Sequence, residues 1–257
     1  MKTHIAFAQI TGTVAATVLF LGCGRVVAED SKAPATSAPN TNRWETTAAV
    51  GITLTRGNSD TFLGTLGIDT KRKWDKNELG FGLNGGYGES DSVKNTDFVQ
   101  GFGQYNRLFS DRFFAGLRVD GNYDGIAELD YRFRITPMAG YYVVKSPKTS
   151  LAFEVGPSAV FEKHKYQSES TYLGIRFAER FEHKLTDSTK IWQTAEYVPQ
   201  VDYWIDKYVI NFEAGIDTAI TKHWSLRVLL QDVYDNNPTP GRKENDIRLI
   251  AGTAYKF

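Results

Sequence analysis

Four residues between Lys163 and Ser170 have the side chains of a hydrolase. His164, Ser168, Glu169 and Ser170 supply a general base, two hydroxyl nucleophiles and a carboxylate within one polar stretch. A triad is defined by geometry rather than by nearness in sequence, so this is one of two readings of the segment, the other being a plain polar loop. His183 and His223 read as solvated groups, and His4 lies in the N-terminal apolar segment. Nothing else in the chain has the form of a nucleophile elbow, a phosphate-cradling glycine loop or a metal-ligand spacing. The sequence therefore commits to no catalytic residue, no metal and no cofactor.

A second set of chemically capable residues is larger and more regular. Arg118, Asp120, Asp130, Arg132, Arg134, Glu154, Arg176, Arg180, Glu213, Asp217, Arg227 and Arg248 each fall at every second position of an alternating segment. Glu162 and Glu182 follow the same rule. Acids and bases are nearly balanced and spread over many segments. Two readings fit such a set: a mutually paired network that keeps a polar interior from collapsing, or a narrow channel whose opposed charges select small solutes.

The elements that must hold these residues are strands. From Trp44 onward a long alternating segment is followed by a short polar break, eleven times over, which gives twelve strands. In one, Phe113, Ala115, Leu117, Val119, Gly121 and Tyr123 alternate with Phe114, Gly116, Arg118, Asp120 and Asn122. The last segment, Asn245 to Phe257, sets Ile247, Leu249, Ala251, Thr253, Tyr255 and Phe257 against Arg248, Ile250, Gly252, Ala254 and Lys256. Strands 4, 8 and 9 are less clear, and Glu179 falls among apolar neighbours unless a bulge re-aims it.

The breaks alternate in kind. Residues 74–77, 110–112, 145–148, 185–188 and 221–223 are compact turns rich in Asp, Asn, Ser, Pro and Lys. Residues 57–60, 89–95, 124–128, 163–170, 204–206 and 236–243 include every long one. Segments of roughly twelve to fifteen residues exceed the usual five or six of soluble strands and suffice to cross a hydrocarbon layer. Aromatic residues flank both kinds of break, as two membrane interfaces require. The expected fold is all-β, a transmembrane antiparallel up-and-down β-barrel with short turns and both chain ends in the periplasm. A soluble periplasmic β-sandwich or lipocalin-like binder also alternates, and is the other fold to be weighed.

Composition agrees. The chain has 257 residues, 41% hydrophobic, with no net charge and a mean hydropathy of -0.36. The long apolar run, Ile5 to Cys23, follows Lys2 and His4 and precedes small residues, which reads as a signal peptide over residues 1–28 with cleavage after Ala28. The alternative is a lipobox at Leu21-Gly22-Cys23-Gly24, with Cys23 lipidated. Residues 29–43 read as a flexible periplasmic leader, and 44–257 as the barrel. With a single Cys, no disulfide is built. The mature chain would carry a charge of about -2, which gives no basis for binding nucleic acid.

The segment Thr55-Arg56-Gly57-Asn58-Ser59-Asp60-Thr61, together with Asn106 to Arg112, Tyr131-Arg132-Phe133-Arg134, Pro137 and Gly140-Tyr141-Tyr142, resembles the salt-induced outer-membrane protein family. That resemblance covers about residues 44–257 and implies an outer-membrane barrel with no assigned reaction. The expected roles are structural support of the envelope, passage of small ions or solutes, or both. A barrel-borne hydrolase of lipid or lipopolysaccharide using His164 is the alternative. Expected partners are outer-membrane lipid and lipopolysaccharide, and the barrel-assembly machinery through Tyr255 and Phe257, with the barrel a monomer.

Overall fold

The computed structural model of the chain describes residues 42–55 and 61–257. The signal peptide, nearly all of the leader, Cys23 and the break at residues 57–60 lie outside the described residues.

Twelve strands form one closed antiparallel barrel, each paired with its neighbour in sequence and the first with the last. They are β1 Trp44–Thr55, β2 Thr61–Trp74, β3 Asn77–Ser90, β4 Val93–Leu108, β5 Phe113–Asp124, β6 Leu129–Lys145, β7 Thr149–His164, β8 Ser170–Lys184, β9 Thr189–Pro199, β10 Tyr208–Ala219, β11 Trp224–Asp235 and β12 Asn245–Lys256. Closure gives every strand two neighbours, which removes the free edges an open sheet would leave.

The short turns are built by one repeated device. Ser110, Ser146, Thr186 and Thr221 each accept, through the side-chain oxygen, the amide three residues on, at 2.9 to 3.0 Å. A hydroxyl that fixes the turn locally sets the register of the following strand before any long-range pairing forms.

Two breaks differ from the sequence expectation. Residues 89–95 were expected to form a long loop, but β3 and β4 run to within two residues of each other. Asp91 and Ser92 both take positive φ, 51° and 63°, the twist-matched geometry of a two-residue hairpin. Conversely, the break expected at 204–206 extends from 200 to 207 and contains a 3-10 turn, Val201–Tyr203.

Side chains alternate across each strand, and the outward set is apolar and exposed. It includes Leu66, Leu83, Val99, Leu117, Phe133, Phe153, Phe177, Leu226 and Leu249. A soluble protein would bury such a surface; a barrel in lipid presents it. Glu179 stays on this face with no bulge beside it, taking a hydrogen bond from Gln193 Nε2 at 3.3 Å. Phe102 and Trp192, in two of the unclear strands, β4 and β9, point inward against Gly82 and Gly215.

Candidate functional site: the barrel interior

The inward side chains of six consecutive strands meet in a closed ring of polar contacts. Arg118 Nε donates to Asp120 at 2.8 Å. Asp120 lies 3.6 Å from Arg134, whose other terminal nitrogen is 2.7 Å from Glu196. Glu196 also accepts from Arg176 Nε, and Arg176 Nη1 donates to Glu154 at 2.9 Å. Gln104 completes the ring, donating to Glu154 at 3.0 Å and accepting from Arg118 at 2.9 Å. Each of β4 to β9 contributes at least one member, so the ring ties half the barrel wall together through its interior.

Three cations and three anions balance within this ring, and Arg180 adds a contact to Glu154 at 2.7 Å. Most members are buried, and Glu154 has no exposed side-chain surface. Charges so far from water persist only when paired.

Below the ring, toward the short turns, Phe114, Tyr142 and Ala152 form an apolar plug. A Cβ on Gly140 would collide with the Phe114 ring, so Gly is what lets that ring lie flat. The Tyr142 hydroxyl donates to Glu78 at 2.7 Å. This quarter of the interior is filled.

The opposite wall is different. The inward positions of β12, β1, β2 and β3 include Gly252, Gly51, Gly67, Gly80, Gly82, Gly86 and Gly88, with Ala49 and Thr65. Phe102 and Phe98 lean across onto Gly82 and Gly86, yet charged side chains lower on this wall meet solvent. Asp69 has 56% of its side chain exposed although it faces inward and lies 3.5 Å from Arg227. Lys71 and Lys73, on the same face of β2, are about half exposed. Arg227 is held chiefly by Asp217, at 2.7 and 3.1 Å.

At the long-loop end, side chains reach across the barrel. Arg248 of β12 contacts Asp124 of β5 at 2.6 Å. Arg132 of β6 lies between Glu162, at 2.6 Å, and Asp235 of β11, at 3.0 Å. Arg242 pairs with Glu128 at 2.6 Å, and the Thr239 hydroxyl meets His164 Nδ1 at 3.0 Å. These contacts join the β5–β7 side to the β11–β12 side and enclose a cavity of about 80 Å³ lined by Gln100, Asn122, Arg134, Asn211 and Asp246. The Arg242 hydrogen bond holds the Glu128 carboxyl below the ordinary carboxylate value.

Of the residues singled out from sequence, Arg118, Asp120, Arg134, Glu154, Arg176 and Arg180 come together around the ring. Arg132 and Arg248 span the mouth, Asp217 and Arg227 pair on the open side, and Glu213 accepts from Gln231 at 2.7 Å. Asp130 differs. The β6–β7 register shifts between Leu129 and Tyr131, which turns Leu129 inward and leaves Asp130 exposed. His164 is held by Thr239 and lies 3.9 Å from Glu162 rather than joining Ser168, Glu169 or Ser170 in a triad. Among the described residues no three His, Cys, Asp or Glu are grouped to hold a metal. Sequence reasoning missed Gln104, Glu196 and Asp69, two of them in the strands whose facing was unclear.

The family described as "Protein of unknown function, DUF481" matches residues 48–257. No curated protein matches the chain by sequence. Among solved structures it is similar to the NanC porin, with 6% identity over 82% of this chain and 98% of that one and a TM-score of 0.50. It is also similar to the COG4313 outer membrane channel from Pseudomonas putida F1, with 12% identity over 89% and 100% of the two chains and a TM-score of 0.48. At these identities the NanC likeness is one of fold, an outer-membrane-type barrel.

Proposed function

We propose, starting from the fact that the chain belongs to the DUF481 family and folds as an outer-membrane-type barrel, that it provides a narrow aqueous passage for small ions and solutes. The observation that carries this reading is the inward exposure of Asp69, Lys71 and Lys73. Water reaches charged groups inside the barrel along one wall while the other wall is closed by its own ion pairs. A passage lined this way favours hydrated ions over bulky molecules, because the ring and the Phe114 plug occupy the rest of the cross-section.

The same ring supports a structural role. A rigid, internally cross-linked half-barrel resists deformation by the surrounding bilayer, which suits a protein that keeps an envelope intact under osmotic or salt stress. In this reading the short turns lie in the periplasm, the lipid-facing wall contacts phospholipid on one side and lipopolysaccharide on the other, and the barrel works as a monomer. Phe257, exposed beside Tyr255, would be offered to the assembly machinery.

Planar-bilayer recording of the purified barrel tests the passage. Discrete conductance steps whose cation-to-anion selectivity changes with Lys71→Glu are expected. A silent bilayer at every voltage, with folded protein verified by heat-modifiable migration, would leave the structural role alone.

A further inference from the structure

The lipid-facing positions of β4 run Val99, Gly101, Gly103, Tyr105 and Arg107, because alternate residues of a strand share a face. Two of them carry no side chain, and Gly121 of β5 lies directly beside Gly101. Together they leave a groove of about 400 Å³ in the outer wall, flanked by Leu83 of β3, Val99 and Val119 and ended toward the long loops by Tyr123. One bank is closed, since a Cβ on Gly101 would lie 3.2 Å from Leu83 and one on Gly103 would lie 3.3 Å from Phe81. The other is open, with no atom within 4 Å of a Cβ on Gly121. An empty trough in an apolar wall forfeits the dispersion contacts its lining could make. In a hydrocarbon layer the group at hand to fill it is an acyl chain.

At its other end the groove leads along β4 to Tyr105 and Arg107, beside the short turn into β5. The four residues from Gly103 to Arg107 span about 13 Å of strand. Asn77 Oδ1 accepts from the Tyr105 hydroxyl at 2.8 Å and from Arg107 Nη1 at 3.0 Å. That contact holds the guanidinium in place and engages one of its five N–H donors. Arg107 is exposed and makes no ion pair among the described residues. Two strands away on the same face, Arg72 also has no acid; it donates to Asn42 Oδ1 and lies over the rings of Trp44 and Trp74. The short-turn rim of β2–β4 therefore presents guanidinium charge to the membrane interface without a carboxylate to balance it, and a phosphate matches the guanidinium fork.

We infer that the outer face of β3–β5 holds one glycerophospholipid with a net anionic head. An acyl chain lies in the groove over Gly101, Gly103 and Gly121, and the phosphodiester sits on Arg107. Groove and cation lie on one strand face, with the apolar part at hydrocarbon depth and the charge at the short-turn interface, which is the order of chain and head in a lipid. A soluble anion would use Arg107 and leave the groove empty. The site is on the outside of the barrel, so it rests on the barrel spanning a membrane and not on the ion passage along β2.

The test is native mass spectrometry of the full barrel in detergent, offered dipalmitoyl phosphatidylglycerol, dipalmitoyl phosphatidylcholine or lipid A at equal concentration. One phosphatidylglycerol per barrel should survive activation that strips the other two. Gly121→Leu, which fills the groove from its open bank, should lower that retention about tenfold. Arg107→Gln should bring phosphatidylglycerol down to the level of phosphatidylcholine. Heat-modifiable migration verifies that both variants are folded. A third arm needs no variant: dihexanoyl phosphatidylglycerol, with the same head and chains too short to fill the groove, should be lost from the wild-type barrel. Retention of no phospholipid, equal retention of the dihexanoyl lipid, or retention untouched by Gly121→Leu would overturn the site. Retention indifferent to head group and to Arg107→Gln, or preference for lipid A, would overturn the anionic phospholipid as its occupant. None of these readings depends on whether the barrel conducts ions.

Discussion

The two halves of the barrel wall handle charge in opposite ways. At mid-height from β4 to β9 the inward charges of the ring are largely buried and locked to one another across strands. From β12 through β3 the wall is built largely of small residues, and the inward charges of β2 meet water. The first half behaves as a keel; the second is where anything moving through the molecule must pass. Placing rigidity on one side frees the other from the packing that would otherwise close the interior, because small inward residues leave space only if large ones opposite do not collapse into it.

The contrast is broken most sharply at Glu154. Replacing it with Ala takes from Arg180 its ion-pair partner and from Arg176 one of its two, and breaking a buried pair in this way costs about 3–5 kcal/mol. Urea unfolding of Glu154→Ala in detergent micelles should show a loss of this order. A loss no greater than that of a surface ion pair would mean water enters the ring and the keel is wet.

Glycine substitutions give the next largest difference. Gly140→Ala drives a methyl group into the Phe114 ring, an overpacking expected to destabilise by about 1–3 kcal/mol. Gly80→Ala, on the open wall, meets nothing nearer than Phe102 and the Thr70 carbonyl at 4.0 Å, and should stay within about 0.5 kcal/mol of the parent. Equal effects in the same unfolding assay would erase the distinction between filled and open walls.

On β2 the effect on stability shrinks further, and the effect on transport replaces it. Lys71 pairs with Glu45 at 3.5 Å with about half its side chain exposed, an interaction worth about 0–1 kcal/mol. Lys71→Ala should therefore leave the unfolding midpoint nearly unchanged while moving the reversal potential in a salt gradient toward cation preference. A large stability loss with no change in selectivity would place Lys71 in the keel instead.

Much of this division is legible in the sequence, and the part that is not has a physical reason. Parity along each segment gives the twelve strands and the inward Arg118, Asp120, Arg134, Glu154 and Arg176, because a side chain's face depends only on its own strand. Partnership depends on how neighbouring strands are staggered, which no single strand encodes, so the ring itself could not be read. Glu196 was hidden for a second reason. In β9 the inward set, Lys190, Trp192, Thr194, Glu196 and Val198, is hardly more polar than the outward Ile191, Gln193, Ala195 and Tyr197, so amphipathicity gives no phase. Asp130 was misplaced because a register shift reverses parity without changing composition, and residues 89–95 were misjudged because polar residues extend well into two strands that meet in a tight turn.

The smallest effect concerns the mouth, where the two halves touch. The hydrogen bond from Arg242 lowers the Glu128 carboxyl below its ordinary value of 4.5. A depressed carboxylate contributes order that is fully present above the unfolded value and is lost as pH falls through the lower, folded value. Arg242 is exposed and Glu128 partly so, and screening keeps the effect slight. Hydrogen exchange of the 236–243 amides should be constant from neutral pH down to about the ordinary carboxylate value, then rise beyond the intrinsic acid dependence as Glu128 protonates. In Glu128→Gln the protection should already be reduced at neutral pH and show no further acid step, while the Thr239–His164 contact, common to both proteins, still holds the loop's middle. If the loop opens identically in both proteins, the bridge between the halves rests on Arg248 and Arg132 alone.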